Sequence, residues 1–69
     1  MTFFTQILFN LSGEIAGKGT TEYSNVDAAE QAFHTTIASA MSKNDVGKII
    51  ALVFDIDGNV KFKRIWTRS

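Results

Sequence analysis

Two carboxylates near the C-terminus are the residues whose type and spacing best suit chemistry. Asp55 and Asp57 flank Ile56 and precede Gly58, directly after the apolar run Ile49–Phe54. Paired carboxylates at the end of a buried strand can act as nucleophile and as general acid/base in group transfer. The same spacing can begin a loop of oxygen ligands for calcium. These residues therefore raise two hypotheses, a phosphatase and a calcium site.

The Asp-x-Asp-Gly pattern is similar to the nucleophile motif of the haloacid dehalogenase family of phosphatases. That resemblance implies Asp55 as nucleophile and Asp57 as general acid/base. The family motif continues with Thr, whereas Asn59 stands here, and the ten residues after it leave no room for the family's later motifs. An EF-hand needs Glu at position 12, where this chain has Trp66. We therefore expect no enzyme, no catalytic residue, no metal and no cofactor.

A β-hairpin is the other interpretation of the same residues. Asp-Gly between two apolar runs favours a hairpin turn. We take Ile56–Gly58 as a three-residue loop in which Gly58 adopts the left-handed conformation. The carboxylate of Asp55 then supports the turn by local hydrogen bonds. This interpretation makes the motif a structural feature.

The hairpin register sorts the apolar residues into two faces. Phe54 is expected opposite Val60, and Leu52 opposite Phe62, since side chains alternate along a strand. The face predicted to lie under a helix comprises Ile50, Leu52, Phe54, Val60, Phe62 and Trp66. The predicted interface on the other face comprises Ile49, Ala51, Val53 and Ile65, beside Lys61 and Lys63. Because one helix covers only one face, an exposed apolar patch predicts a homodimer or another protein partner.

The remaining elements follow from apolar periodicity. Strands are predicted over 2–10, 14–23, 46–56 and 60–67, and Gly17 and Gly19 favour an edge position for the second. A helix is predicted from Ser24-Asn25 to between Met41 and Asn44, with an apolar stripe formed by Ala29, Phe33, Ile37, Ala40 and Met41. Residues 1–69 are thus expected to form a single α+β domain. Its order is ββαββ, with one helix on one face of a four-stranded antiparallel sheet.

Composition limits the class of protein. The chain has 69 residues, no cysteine, and seven basic residues that balance seven acidic ones. A chain of this size is a marginally stable monomer, and without cysteine it has no disulfide or thiolate metal site to add stability. No segment approaches the roughly 20 apolar residues of a membrane span, and the apolar start lacks the basic region of a signal peptide. We expect a cytoplasmic protein without membrane contact.

Two further motifs are interpreted as structural. The segment Gly17–Thr20 suggests a phosphate loop, but its glycines do not have the Walker spacing. His34 is the one histidine and follows Glu30 by one helical turn. Without a second ligand or a nucleophile at a suggestive spacing, His34 is expected at the boundary of the helix stripe.

Basic residues concentrate in the C-terminal part. Six of the seven basic residues lie after position 42, and no acidic side chain follows Asp57. The last strand offers candidate nucleic-acid contacts at Lys61, Lys63, Arg64 and Arg68, interleaved with aromatic residues. Lysines on an outer strand also protect a sheet edge from aggregation. Nucleic-acid binding is therefore the alternative to protein interaction.

The segment Ala32–Met41, followed by an apolar strand, Asp-Gly and a C-terminal Trp, resembles small uncharacterised proteins encoded by phages and prophages of bacteria. This resemblance implies a prokaryotic or viral cytosolic protein of unassigned role. It implies no catalytic residues.

Overall fold

The computed structural model describes all 69 residues. Its elements, in chain order, are β1 (Thr2–Asn10), β2 (Ile15–Tyr23), α1 (Val26–Ser42), β3 (Val46–Asp55) and β4 (Val60–Thr67). The strands form one antiparallel sheet in the order β2-β1-β3-β4. Helix α1 packs on one face of this sheet. The predicted α+β fold is confirmed.

The strand order follows from how apolar each strand is. The central strands β1 and β3 are the two most apolar, and both of their faces are shielded to some degree. Strand β2 contains Gly17 and Gly19 and lies at one edge, as predicted. Strand β4 alternates basic and apolar residues and forms the other edge. Charged residues on an edge strand oppose unwanted pairing with other chains.

Helix α1 begins one residue beyond its cap. The side chain of Asn25 accepts a hydrogen bond from the N–H of Ala28 at 2.8 Å, so Asn25 is the N-terminal cap of α1. The buried stripe contains Ala29, Phe33, Ile37 and Ala40. Met41, predicted in the same stripe, lies at its margin and is 42% exposed.

The core lies between α1 and the inner side of the two central strands. Phe4 of β1 meets Phe33 of α1 edge to face, with ring centroids 6.1 Å apart. Strand β3 contributes Ile49, Ala51 and Val53, all at 0% exposure. Small Ala51 in the middle of β3 leaves room for the helix to approach the sheet closely.

The predicted assignment of the hairpin residues to the two faces is wrong for β3 and for Val60, whereas Phe62 and Trp66 lie on the helix side as predicted. Phe54 pairs with Val60 as expected, but Phe62 pairs with Val53 because a bulge leaves Lys61 without a partner. One extra residue in a strand moves every later side chain to the opposite face. Phe62 and Trp66 therefore lie on the helix side, whereas Val60 lies on the other.

The helix also covers the face of β3 opposite to the one expected. Ile49, Ala51 and Val53 were predicted at an exposed interface, but they are buried under α1 and cannot contact a partner. Of the predicted interface, only Ile65 lies on the uncovered side, where it is 52% exposed. Hairpin register relates the two strands to each other, but it does not select the face on which the helix packs.

A second irregularity lies at Gly47. The pairing of β1 with β3 shifts between Phe9 and Asn10, because Asn10 pairs with Val46 and Phe9 with Lys48. A Cβ atom at Gly47 would lie 2.8 Å from the carbonyl oxygen of Asn10. Only glycine permits this close approach of two backbones.

Candidate functional site: the open face of the sheet

The face of the sheet opposite α1, here called the open face, has no covering element. It displays alternate residues of all four strands, since strand side chains alternate between faces. Its members, in register across β2, β1, β3 and β4, are Ile15, Lys18, Thr20, Glu22; Phe3, Thr5, Ile7, Phe9; Lys48, Ile50, Leu52, Phe54; and Val60, Lys63, Ile65, Thr67.

The centre of the open face is apolar and continuous. Phe3 and Phe54 are neighbours on adjacent strands, and their rings stack with centroids 5.4 Å apart. Four residues further along the two central strands, Ile7, Ile50 and Ile65 form a row across three strands. None of the apolar residues on this face is buried. A patch of this extent on a small chain typically marks an interaction surface.

Polar residues border this apolar centre. Thr5 interrupts the apolar residues of β1, so the apolar centre is continuous along β3, and its hydroxyl is hydrogen-bonded to that of Thr20 on β2 at 2.9 Å. The ammonium group of Lys48 lies 5.7 Å from the centroid of the Phe9 ring, within range of a cation–π interaction. Glu22 stands on the β2 edge and Lys63 on the β4 edge. An apolar centre with a polar rim is the usual anatomy of a protein–protein interface.

The Asp55 motif is a turn, as the hairpin interpretation predicted. Gly58 has φ +87°, and its N–H donates to the carbonyl of Asp55 at 3.0 Å. The Asp55 Oδ1 atom accepts from the N–H groups of Asp57 at 3.0 Å and Asn59 at 2.9 Å. Its Oδ2 atom accepts from the Asn59 side chain at 3.2 Å. Both oxygens are thus engaged by the loop itself.

These contacts change the acidity of Asp55. The backbone N–H of Asn59 is the main cause that holds the pKa of Asp55 below its ordinary value, against a smaller opposing effect of desolvation. The Asn59 side chain, the Asp57 N–H and the Lys61 ammonium, 3.7 Å away, lower this pKa further. A carboxylate with these local partners is stabilised as the anion and serves the turn.

The four basic residues predicted to contact nucleic acid do not share a surface. Lys61 lies at the bulge beside Asp55, and Lys63 belongs to the open face. Arg64 lies on the helix side of β4. Arg68 instead makes an intramolecular hydrogen bond, in which its Nε–H donates to the Val46 carbonyl at 2.8 Å.

The guanidinium of Arg68 hydrogen-bonds to carbonyl groups at the C-terminal end of α1. Its Nη2 group donates to the carbonyls of Met41, at 3.3 Å, and Lys43. Its plane also lies over the ring of Trp66, with Cζ 4.9 Å from the ring centroid. Carbonyls at the end of a helix lack intrahelical partners and carry its negative charge. Arg68 is therefore a capping residue, which the sequence did not reveal because its partners are distant along the chain.

The other chemical candidates lie apart from one another. Gly17 and Gly19 are in an extended edge strand, so they form no phosphate cradle before a helix. His34 is exposed and contacts Glu30 across one helical turn, with Nε2 and Oε2 3.3 Å apart. Nowhere in the structure do three or more His, Cys, Asp or Glu side chains converge as a metal site would require.

Sequence reasoning missed the contribution of β1 to the open face. The alternation of Phe3, Ile7 and Phe9 with the inward-facing Phe4 was a usable signal, because a central strand presents apolar residues to both sides.

The single helix, α1, falls short of the length and apolarity needed to cross a membrane. Searches for similarity matched the chain to no protein-family model, no curated protein and no solved structure.

Proposed function

We propose that this protein is a non-enzymatic module that self-associates, with two copies packing open face to open face. The observation that supports this proposal is the continuous apolar centre of the open face, bordered by polar side chains. Two sheets stacked in this way would form a sandwich in which each copy supplies the layer that the other lacks.

The dimensions of the open face fit a weak but specific dimer. Four strands about 4.8 Å apart and eight residues long at about 3.4 Å each give a flat area of about 500 Å². Two copies would then bury about 1,000 Å², near the lower limit of a specific interface. We therefore expect association that depends strongly on concentration.

The charges at the rim favour one arrangement of the two copies. A two-fold axis parallel to the strands places β1 over β3 and β2 over β4 of the second copy. Glu22 then faces the edge that bears Lys63, one row away, and the contact occurs twice because the interface is symmetric. A perpendicular axis would place β4 over β4 and bring the two Lys63 side chains together. Lys18 of β2 also lies one row from Lys63 and offsets the attraction to Glu22, so the parallel axis is favoured because it avoids the facing pair of Lys63 side chains.

A charge exchange tests this arrangement. Glu22→Lys should shift sedimentation velocity toward the monomer, because it places a second lysine beside Lys63 at both contacts. Lys63→Glu exchanges an attraction to Glu22 for one to Lys18 and should change the association little. The double variant should recover the association of the wild type. Glu14→Lys, in the exposed turn between β1 and β2, is the matched control and should change nothing. A double variant no more associated than Glu22→Lys would contradict the parallel axis, and a strictly monomeric wild type would contradict self-association.

A further inference from the structure

Helix α1 leaves a groove along β4 on the helix side of the sheet. The helix packs over β1 and β3 and reaches toward β2, so the outer part of β4 is not covered. The groove has a volume of about 300 Å³. It is lined by Phe33, His34, Ile37, Ala38 and Met41 from α1 and by Phe62, Lys63 and Arg64 from β4.

The floor of this groove is aromatic. The rings of Phe33 and Phe62 lie with centroids 5.9 Å apart, and the His34 ring lies 6.4 Å from that of Phe62. Met41 stands at the wall and is 42% exposed. Methionine and aromatic side chains beside an open groove offer an adaptable site for one apolar side chain.

The strand beside the groove has unpaired backbone groups. The N–H of Arg68 donates to the carbonyl of Gly47 at 2.8 Å, which fixes the phase of hydrogen bonding between β4 and β3. Because backbone groups alternate in direction along an antiparallel strand, those of Lys63, Ile65 and Thr67 point away from the sheet. Since β4 is an edge strand, an added strand can pair with these groups.

The charges around this edge select an acidic partner. Lys61, Lys63 and Arg64 follow one another with no acidic residue among them or after them. Asp55 is engaged by its own loop and by Lys61, whose ammonium lies 3.7 Å from it. Lys63 and Arg64 are therefore the basic side chains left without an acidic contact. Glu30 contacts His34 across one helical turn. A peptide with carboxylates would therefore meet favourable charge along β4.

We propose that the β4 edge binds an extended acidic peptide segment of another protein, which adds a fifth strand and places an apolar side chain in the α1–β4 groove. The groove of this site lies on the opposite side of the sheet from the open face, whereas the Lys63 side chain belongs to the open face and contributes its charge at the β4 edge that both surfaces share. It stays accessible in a face-to-face dimer, and it stands whether or not that dimer forms.

A phage-displayed library of linear peptides tests the proposal, with the wild-type protein as bait. Enriched sequences should combine Asp or Glu with β-branched or aromatic residues. A synthetic peptide of the leading sequence should slow amide hydrogen exchange at Lys63, Ile65 and Thr67. Replacing its acidic residues by Lys should weaken binding at least about tenfold, which corresponds to about 1.4 kcal/mol.

Two tryptophan variants serve as a matched pair for the groove. Ala38→Trp fills the groove from an exposed helix position and should weaken peptide binding at least about tenfold. Ser39→Trp places the same side chain on the other flank of α1 and should leave binding unchanged. Equal binding by both variants, enrichment without acidic residues, or no enrichment would overturn the proposal. So would protection of the same amides by single-stranded oligonucleotide alone.

Discussion

Arg68 is expected to stabilise the fold rather than to bind nucleic acid, and its removal should be measurable as lost stability. The change is Arg68→Ala. It removes the donors that reach Val46, Met41 and Lys43, and it also removes the stacking on Trp66. These contacts join the end of α1, the start of β3 and the end of β4.

The size of the effect follows from the contacts. A hydrogen bond with a charged donor contributes about 1.5–3 kcal/mol when its partner stays buried after deletion. Water can reach two of the three carbonyl contacts, which are exposed, so each of these should contribute well below that range. With about 0.5–1 kcal/mol for the Arg–Trp contact, we expect a loss of about 2 kcal/mol. For a domain of this size, that loss lowers Tm by about 8–16 °C.

The assay is urea unfolding followed by Trp66 fluorescence, with thermal melts as a second measurement. Arg64→Ala is the matched control, since Arg64 is an exposed arginine of β4 and makes no such bonds. It should change stability by less than about 0.5 kcal/mol. Arg68→Lys should fall between wild type and Arg68→Ala, because it keeps the charge but loses the planar fork. Equal stability of the Arg68→Ala and Arg64→Ala variants would refute this reasoning.

Three further changes test the fold and the turn. Gly47→Ala should cost about 1–3 kcal/mol because its Cβ has no room, whereas Gly19→Ala, with open space around it, should be neutral in the same melt. Ile49→Ala should cost about 2–5 kcal/mol, clearly more than Ile50→Ala on the open face; equal losses would contradict the face assignment. Because the pKa of Asp55 is lower in the folded state than its unfolded value near 3.8, Asp55 stabilises the fold at pH values above 3.8. This stabilisation is lost as the pH falls through the pKa of the folded state. Unfolding of Asp55→Asn should therefore depend less on pH below about 4, and an unchanged profile would contradict the turn contacts.

Local patterns in the sequence predicted the elements correctly. The helix stripe, the three-residue loop and the left-handed Gly58 depend on residues that are near one another along the chain. Strand bounds agree with the structure to within one residue, since each strand is delimited by a turn or by the helix. The order and the architecture followed from these elements.

The face assignment needed information that local patterns lack. Strands β2 and β3 run parallel with β1 between them, so α1 is a crossover connection. The preferred hand of such connections decides which face the helix covers, but the rule applies only once the strand order is known. The bulge at Lys61 then moved Phe62 and Trp66 to the helix side.

The sequence predicted that one face of the sheet would be uncovered, because a single helix covers only one face. It did not predict which residues of β3 lie on that uncovered face. The capping role of Arg68 depends on contacts with residues 22 to 27 positions away in sequence. The backbone approach at Gly47 likewise requires the turn between β1 and β2 to lie against β3. Such contacts form only once the fold has brought distant residues together, so they leave no periodic pattern in the amino-acid sequence.

Sedimentation velocity over a wide range of concentration, comparing wild type with Ile65→Lys, tests self-association most directly. Ile65 is 52% exposed on the open face, so a lysine there should leave the core intact. Ile56→Lys is the matched control, since Ile56 is 68% exposed in the turn. Wild type and Ile56→Lys should shift toward a dimer as concentration rises, while Ile65→Lys should stay monomeric. A wild type that remains monomeric throughout, or an Ile65→Lys variant that dimerises like the control, would contradict self-association through the open face.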